Sequence, residues 1–278
     1  CRGAGTNLVT GTDIDGQSWA NPPPMGCDEW HPEPFFTRKP DFQFRGFPPQ
    51  LIMGGGVIAG QEPFAFSWRK DDVDLVEGTH FVSTDSANLV VNNFSPTDAG
   101  NYQLIASNAF GIATSAVVRV AVHCANISAS NSVSPFSDWA TAATNIQDAI
   151  DVAQDGDVVL VTNGIYASGG KVISDDLTNR VALTKPITVL SVNGPGATII
   201  QGNWDANTNG PLAVRCAWLT NNAVLNGFTL QGGATRTTGV QYGGGVWGVS
   251  TQAVVMNCWI YTNAAASHGG GSYQVMLN

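Results

Sequence analysis

The feature that most constrains the fold of this chain is an apolar repeat near its C-terminal end, punctuated by glycine. The segment 223–233 recurs 30 positions later as 253–263, with apolar residues at matching positions. Two glycine triplets, 243–245 and 269–271, begin 26 positions apart. A repeat of this length is typical of a solenoid, in which each unit buries its apolar side only against the units before and after it. The sequence therefore predicts stacked strand units in this part of the chain.

The composition is that of an all-β protein of the exported type. Charged residues make up 12% of the 278 residues, and 32 residues are glycine; ordinary globular domains have about 25% charged residues. The net charge of -9, with only 12 Lys and Arg, argues against nucleic acid as a partner, because phosphate binding depends on clustered cations. No apolar run approaches the roughly 18 residues that would span a bilayer. We expect an extracellular or cell-surface protein without a membrane span, which forms a piece of a longer chain.

The five cysteines of the chain do not predict a metal site. They stand at positions 1, 27, 124, 216 and 258, an odd number without the C-x-x-C spacing of zinc sites. Cys1 and Cys27 lie in one short segment and could pair or stay as free thiols. Cys216 and Cys258 are expected to be small interior residues, the usual place of an unpaired cysteine.

One segment near the N-terminus has part of the sequence of a Ca²⁺-binding loop. Asp13 and Asp15 alternate before Gly16, as at the start of an EF-hand loop, but the twelfth loop position, which needs a bidentate glutamate, is Pro24. Ca²⁺ therefore stays an alternative, and the main expectation is a protein without a cofactor or metal.

Residues 35–123 alternate in short apolar runs that predict β-strands. Trp68 precedes Arg-Lys-Asp-Asp, and the segment 98–102 reads Asp-Ala-Gly-Asn-Tyr. These residues resemble an immunoglobulin domain of the I-set kind. The resemblance implies that Trp68 is the core tryptophan and that the Tyr102 hydroxyl returns to the backbone as a tyrosine corner. The two disulfide positions of the family fall near Gly56 and on Leu104, so the sandwich is predicted to hold by packing, without the typical 2–4 kcal/mol of a disulfide.

Three shorter segments complete the predicted organisation. Residues 1–34 are rich in turn residues and resemble the closing segment of bacterial β-helix domains, so they are either the C-terminal stub of an upstream β-helix or an irregular tail. Residues 124–137 are polar and predict a linker. Residues 144–154 predict a helix, because Thr144 and Gln147 form a capping box and Ile146 and Ile150 share one apolar face. Such a helix would cap the first strand unit and hide its edge from water.

The remaining residues, 138–278, carry the strand repeat. The stretch 243–263 begins Gly-Gly-Gly and ends Asn-Cys-Trp-Ile-Tyr-Thr-Asn, which resembles right-handed parallel β-helix proteins of the pectate-lyase-like superfamily, especially bacterial surface proteins. The resemblance implies a β-helix that is incomplete at its C-terminal end. The predicted fold class is all-β: an immunoglobulin-like β-sandwich over 35–123, then a truncated right-handed parallel β-helix with a short N-terminal capping helix.

The resemblance also raises the question of an enzyme, since pectate-lyase-like enzymes use an Arg or Lys base beside acidic residues that hold Ca²⁺. Galacturonan hydrolases use carboxylate pairs, and their motifs are not matched here. His268, beside Gly269, is expected to be a turn residue. Adjacent strand residues point to opposite faces, so Asp175 and Asp176 predict a solvated loop. The candidate residues for a lyase are Lys171, Arg180, Arg215, Asp175, Asp176 and Asp205.

Tryptophans in the strand repeat suggest a binding function. Exposed aromatic rings offer flat apolar faces on which sugar rings stack, whereas packing is the favoured role of Trp259. The candidate ligand-binding residues are Trp204, Trp218, Trp247 and Trp259. We expect an extracellular binding or adhesion module of a large bacterial repeat protein, with polysaccharide or a cell-surface glycan as its partner. The alternatives are a polysaccharide lyase or hydrolase whose catalytic units lie partly outside this chain, and a structural stalk.

Overall fold

The computed structural model describes residues 31–173, 177–205, 209–239 and 241–278. Within these ranges the protein is all-β with a single short α-helix. The partial Ca²⁺ loop, most of the predicted N-terminal stub and the cysteines at positions 1 and 27 lie outside the described residues. In the described ranges, no helix is long and apolar enough to cross a membrane.

The first region, residues 35–120, is an antiparallel two-sheet sandwich, which we call the sandwich domain. One sheet has the strand order β2-β3-β8-β7, and the other has the order β10-β9-β5-β6, with β11 also paired to β9. A separate strand, β1, pairs with β4. The strands are β1 Phe35–Arg38, β2 Asp41–Arg45, β3 Gln50–Gly54, β4 Val57–Ala59, β5 Ala65–Lys70, β6 Val73–Asp74, β7 Phe81–Val82, β8 Leu89–Val91, β9 Gly100–Asn108, β10 Gly111–Thr114 and β11 Val118–Val120.

The core of the sandwich domain is arranged as its sequence predicts. Trp68 on β5 is fully buried, and its indole N–H donates a hydrogen bond to the Ser86 carbonyl at 2.9 Å. Tyr102 on β9 is also buried, and its hydroxyl donates to the Asp98 carbonyl at 2.7 Å. Both polar groups are thus satisfied inside an apolar core, which is the usual arrangement of a buried Trp or Tyr. The tyrosine corner is confirmed.

Apolar side chains occupy the positions between the two sheets where a disulfide would otherwise lie. Leu51, Met53 and Leu104 are buried in one cluster with Trp68. Gly56, the position estimated from the sequence, lies after the end of β3, and the buried residues of that strand are Leu51 and Met53. No cysteine lies between residues 35 and 120, so this core is held by packing.

The second region, residues 122–278, consists of three sheets that the chain visits in turn, and we call it the parallel-sheet region. The first sheet has the order β12-β13-β17-β20-β23-β26, the second β14-β18-β21-β24 and the third β15-β16-β19-β22-β25. Its strands are β12 Val122–Ala125, β13 Val158–Val161, β14 Gly164–Tyr166, β15 Lys171–Val172, β16 Thr178–Leu183, β17 Thr188–Ser191, β18 Thr198–Gln201, β19 Val214–Leu219, β20 Val224–Asn226, β21 Thr229–Gln231, β22 Val246–Gly248, β23 Val254–Met256, β24 Trp259–Tyr261, β25 Ser272–Tyr273 and β26 Met276–Leu277.

Neighbouring strands in these sheets are parallel, apart from the antiparallel pair β15 and β16. We call each set of three successive strands, one from each sheet, a rung. The repeat seen in the sequence is one rung long: Val224 pairs with Val254, and Leu230 pairs with Ile260. This strand order is compatible with the predicted β-helix.

The interior between the three sheets is apolar and includes two cysteines, as predicted. Cys216 is buried there and Cys258 packs against the same cluster. Burial raises the pKa of Cys216 to about 12 and the pKa of Cys258 to about 11, so both thiols stay protonated at neutral pH. At the turn before Cys258, the Asn257 amide donates to the Asn226 side chain at 2.9 Å, a ladder between successive rungs.

The boundary between the two regions differs from the predicted linker over 124–137. Cys124 pairs with Leu160, and Ala125 pairs with Val161, in the first sheet. These two residues therefore belong to β12, which begins directly after the last strand of the sandwich domain. The polar stretch lies after β12 and leads to the helix.

The α-helix spans Ile146–Val152 and buries Ile146, Ala149 and Ile150, as predicted. Its N-cap is Asn145, whose side-chain oxygen accepts from the Asp148 amide at 3.0 Å. The predicted capping box at Thr144 is therefore wrong by one residue: an asparagine is as good an N-cap as a threonine, and the sequence alone does not separate the two. The helix contacts β12, β13 and β16, which places it against the first rungs.

The sandwich domain packs on the outer face of the first sheet. Val158, Leu160 and Leu190, which face outward from that sheet, belong to the same apolar cluster as Trp68. Phe47, from the β2–β3 turn, lies against glycines in the turns of two successive rungs. An added Cβ at Gly194 would lie 3.0 Å from Phe47, and one at Gly227 would lie closer still. These turns approach the ring so closely that a side chain would displace it.

A charged cluster reinforces this junction. Asp157 is 1% exposed and accepts from Arg119 at 2.6 Å and from His123 at 3.0 Å. Burial by itself raises the pKa of the Asp157 carboxyl. Hydrogen bonds from the Gln154 amide and the His123 ring, together with the Arg119 guanidinium, outweigh burial and hold the pKa below its ordinary value.

We expect Trp68→Ala to lower the free energy of unfolding of the sandwich domain by about 3–5 kcal/mol, the range for deleting a buried aromatic ring. Tyr102→Phe should cost about 1 kcal/mol, because it removes one internal hydrogen bond. Urea titration of the whole chain measures both. Tyr261→Phe is the matched control, since Tyr261 is exposed, and a loss as large as that of Tyr102→Phe would contradict the assignment.

Asn145→Ala should destabilise the helix and the first rungs by about 1 kcal/mol, the usual cost of losing an N-cap. Thr144→Ala, which alters the neighbouring exposed residue, should leave the melting temperature unchanged. Calorimetry of the two variants separates the observed cap from the capping box that the sequence suggests. The reverse order of effects would show that Thr144 caps the helix.

Asp157→Asn should lower the melting temperature at neutral pH, because it removes a buried carboxylate that binds Arg119 and His123. The folded-state pKa of Asp157 is depressed, so its contribution is present above the ordinary aspartate pKa of about 3.9 and is lost as the pH falls below it. The difference between wild type and variant should therefore shrink below about pH 4. Asp155→Asn, at an exposed neighbour, is the control and should show no such convergence.

Candidate functional site

The outer face of the second sheet carries two exposed aromatic rings. On β24, Ile260 points into the interior cluster, so Trp259 and Tyr261 on either side of it point outward, as alternation in a strand requires. Their exposed fractions are 56% and 46%. Neighbouring exposed aromatic rings form an apolar patch, and a contiguous exposed patch marks an interaction site more often than single exposed residues do. This pair is therefore the strongest candidate for a ligand site.

The Trp259 ring packs against a defined part of the second sheet. Its register partner Thr229 is buried, and the Thr229 hydroxyl donates to the Pro195 carbonyl at 2.8 Å. The next residue is Gly196, where an added Cβ would lie 3.7 Å from Cη2 of Trp259. The ring thus extends back from β24 over β21 toward the turn before β18, and its other side remains open to solvent.

Amide side chains stand beside this ring on the same sheet. Gln201 and Gln231 are in register with Tyr261, on β18 and β21 respectively. Both are partly exposed. An amide offers two donor hydrogens and an acceptor oxygen, so each can bind a hydroxyl group as donor or acceptor. We call the outward residues of this sheet the Trp259 face: Ile165, Ile199, Thr229, Trp259, Gln201, Gln231 and Tyr261.

The third sheet holds a second group of aromatic residues, which pack against one another. Trp218 and Trp247 are register partners on successive rungs, with ring centroids 5.8 Å apart and a 34° angle between planes. Trp218 is only 9% exposed. The next residue in this column is Tyr273. The column is a stack along the rungs, and each of its rings is less exposed than Trp259 and Tyr261.

Tyr242 and His268 lie at the edge of that stack. Tyr242 is parallel to Tyr273 at 4.8 Å between centroids, and the His268 ring lies 5.7 Å from Tyr242. The Ser267 hydroxyl and Nδ1 of His268 are 2.6 Å apart. His268 is a histidine in an exposed turn between β24 and β25, in agreement with the prediction.

The four predicted tryptophans therefore fall in three different places. Trp218 and Trp247 stack on the third sheet, Trp259 lies on the second, and Trp204 stands 47% exposed in the segment between β18 and β19. The packing role favoured for Trp259 does not fit its exposure. Tyr261 was missed by sequence reasoning, although the Trp-Ile-Tyr alternation of β24 places it beside Trp259.

The three basic residues considered for a lyase are held by other groups. Lys171 pairs with Asp151 at 2.8 Å, and Nε of Arg180 donates to the Gln201 carbonyl at 2.8 Å. Arg215 is buried, and burial lowers its pKa to about 10, so it remains a cation at neutral pH.

The guanidinium of Arg215 is used in structural contacts. Nε donates to the Gly243 carbonyl, and the two terminal nitrogens donate to Asn179 and to the Tyr242 carbonyl, at 2.7 and 2.8 Å. Its carbon atom Cζ lies 5.8 Å from the Trp247 ring centroid. Arg215 thus fixes the turn that carries Tyr242.

The acidic residues considered for Ca²⁺ do not form a described site. Asp175 and Asp176 lie outside the described residues. Asp205 accepts from the Leu212 amide at 2.6 Å, a contact that closes its own loop. Across the described ranges, no group of three or more His, Cys, Asp or Glu side chains is arranged to hold a metal ion.

Comparison with known proteins identifies one part of the chain. Residues 56–122 match the immunoglobulin I-set domain family. Among solved structures, the I-band fragment I67-I69 from titin is 22% identical, covering 33% of this chain and 38% of that fragment, with a TM-score of 0.24. The titin M3 domain is 21% identical over 31% of this chain and 95% of that domain, with a TM-score of 0.23. With TM-scores this low, the titin similarities imply nothing about function. Residues 56–122 are an immunoglobulin-like domain of the I-set type.

Proposed function

We propose that this protein is an extracellular binding or adhesion module that holds a polysaccharide on the Trp259 face. The observation that carries the proposal is the pair of outward rings, Trp259 and Tyr261, on one strand with amide side chains in register beside them. We further propose that the parallel-sheet region is a right-handed parallel β-helix from a large bacterial repeat protein. The order in which the chain visits the three sheets supports this fold.

The chemistry of a sugar ring fits this surface. A pyranose presents C–H groups on its flat sides and hydroxyls around its edge, so it can stack on an indole and bind amides at the same time. Trp and Tyr have only two side-chain torsions, so they lose little conformational entropy on binding. Because successive rungs repeat the same face, the surface extends along the rungs and suits a chain-like ligand.

The enzyme alternative has less support than the binding function. A proton-abstracting base must reach the substrate, whereas Lys171, Arg180 and Arg215 are engaged by carboxylate or carbonyl groups. The stalk alternative is favoured by one observation, the close packing of the sandwich domain on the first sheet. A stalk needs a stiff junction, but it does not need exposed rings on the second sheet.

The proposal predicts that the chain binds at least one soluble polysaccharide in titration calorimetry, and that Trp259→Ala weakens binding about tenfold or more, equivalent to about 1.4 kcal/mol. Tyr261→Ala should weaken binding by a smaller factor, because its ring is smaller. Trp204→Ala is the matched control: it deletes a similarly exposed tryptophan that lies outside the strands of the second sheet, and affinity should not change.

Three outcomes would contradict this assignment. A loss of affinity in Trp247→Ala without a loss in Trp259→Ala would move the ligand to the third sheet. Absence of binding to every polysaccharide tested would favour the stalk. Release of unsaturated uronides, followed by ultraviolet absorbance with and without Ca²⁺, would establish a lyase, and then the three basic residues would be replaced in turn.

A further inference from the structure

We infer that the ligand of the Trp259 face is a neutral polysaccharide, not a uronic acid or sulfated polymer. This inference rests on the proposed function and narrows it to one class of ligand. It depends on the side chains that surround the two rings, on the contacts of Arg180 and on the charge of the chain.

The Trp259 face contains no ionisable group that is charged at neutral pH. Its two outward columns span four strands and three strands, and every residue in them is apolar, a hydroxyl residue or an amide. The first column is Ile165, Ile199, Thr229 and Trp259, and the second is Gln201, Gln231 and Tyr261. A polyanion bound here would lay its carboxylates or sulfates on an uncharged surface, and partial desolvation of an unpaired anion is costly.

The Arg180 guanidinium contacts the main chain of this face. Arg180 lies on β16, in the third sheet, and Nε of its guanidinium donates to the Gln201 carbonyl. Nη1 donates to the carbonyl of Gly169. Two of its three nitrogens are thus held by main-chain oxygens of β18 and of the segment between β14 and β15. Arg180 itself is not one of the outward residues of the second sheet.

The net negative charge of the chain also disfavours binding of a polyanion. The chain carries -9 at neutral pH, with 21 Asp and Glu against 12 Lys and Arg. A polyanion that approaches the protein therefore meets a repulsive field, which slows association and weakens binding at low salt. A neutral polymer does not experience this field. Its stacking on Trp259 and its hydroxyl contacts with Gln201 and Gln231 are insensitive to salt.

The test uses pairs of polysaccharides that share a backbone and differ in charge. Fully methyl-esterified homogalacturonan is compared with the same polymer after de-esterification, and hydroxyethylcellulose with carboxymethylcellulose, by calorimetry at 50 and 500 mM NaCl. For a backbone that binds, we expect the neutral member to have a Kd that salt changes less than about twofold, and the acidic member to bind about tenfold more weakly. The deficit should diminish at 500 mM NaCl as repulsion is screened.

A pair of variants tests whether a cation placed on the Trp259 face strengthens binding of the acidic polymer. Gln231→Lys places a cation on the Trp259 face and should strengthen binding of the acidic member of the pair at 50 mM NaCl. Gln252→Lys makes the same charge change at an exposed turn away from this face and should not. Equal strengthening by both variants would mean that only net charge matters and would overturn the inference.

The outcomes also separate the inference from the proposed function. Tight binding of an acidic polymer that weakens with salt and is lost in Trp259→Ala would overturn the neutral class but support the site. Binding of neutral polymers that Trp259→Ala leaves unchanged would overturn the site. If no member of either pair binds, and no other neutral or acidic polysaccharide does, both the function and the ligand class are wrong.

Discussion

In-register pairing of parallel strands is the constraint on which the parallel-sheet region depends. Side chains alternate between the two sides of a strand, so a shift of one residue would turn every interior residue outward. Ile260 lies above Leu230 in the interior, and this pairing alone forces Trp259 and Tyr261 to the surface. The candidate site is thus a consequence of register, and the interior packing that sets the register also fixes the two rings.

Much of the fold could be predicted from residues that have few possible roles. A tryptophan and a tyrosine at the spacing of Trp68 and Tyr102 indicated the sandwich core, and the one-rung repeat indicated that Val224 would pair with Val254. Alternatives that are equal in local energy could not be separated. Thr144 and Asn145 are both good N-caps, and only the position of the first helical turn decides between them.

The candidate site was predicted less well, because the exposure of a ring depends on which sheet carries it. The sequence places Trp218, Trp247 and Trp259 in similar strand contexts. The structure buries the first, stacks the second on it and leaves the third open. The sequence did not predict that β12 belongs to the parallel-sheet region, for a similar reason. Its four residues fit equally well as the end of the sandwich domain and as the first strand of a parallel sheet. Pairing partners decide such cases, and they are distant in sequence.

The contact of Phe47 with the turns at Gly194 and Gly227 ties the sandwich domain to two particular rungs. Trp259 lies on the rung that follows them, so the separation between domain and ring is a whole number of strand spacings, each about 4.8 Å. Loss or duplication of a rung would change this separation in discrete steps while keeping every face in its orientation. In related chains with different numbers of rungs, the distance between the sandwich domain and the Trp259 ring would therefore differ by whole strand spacings.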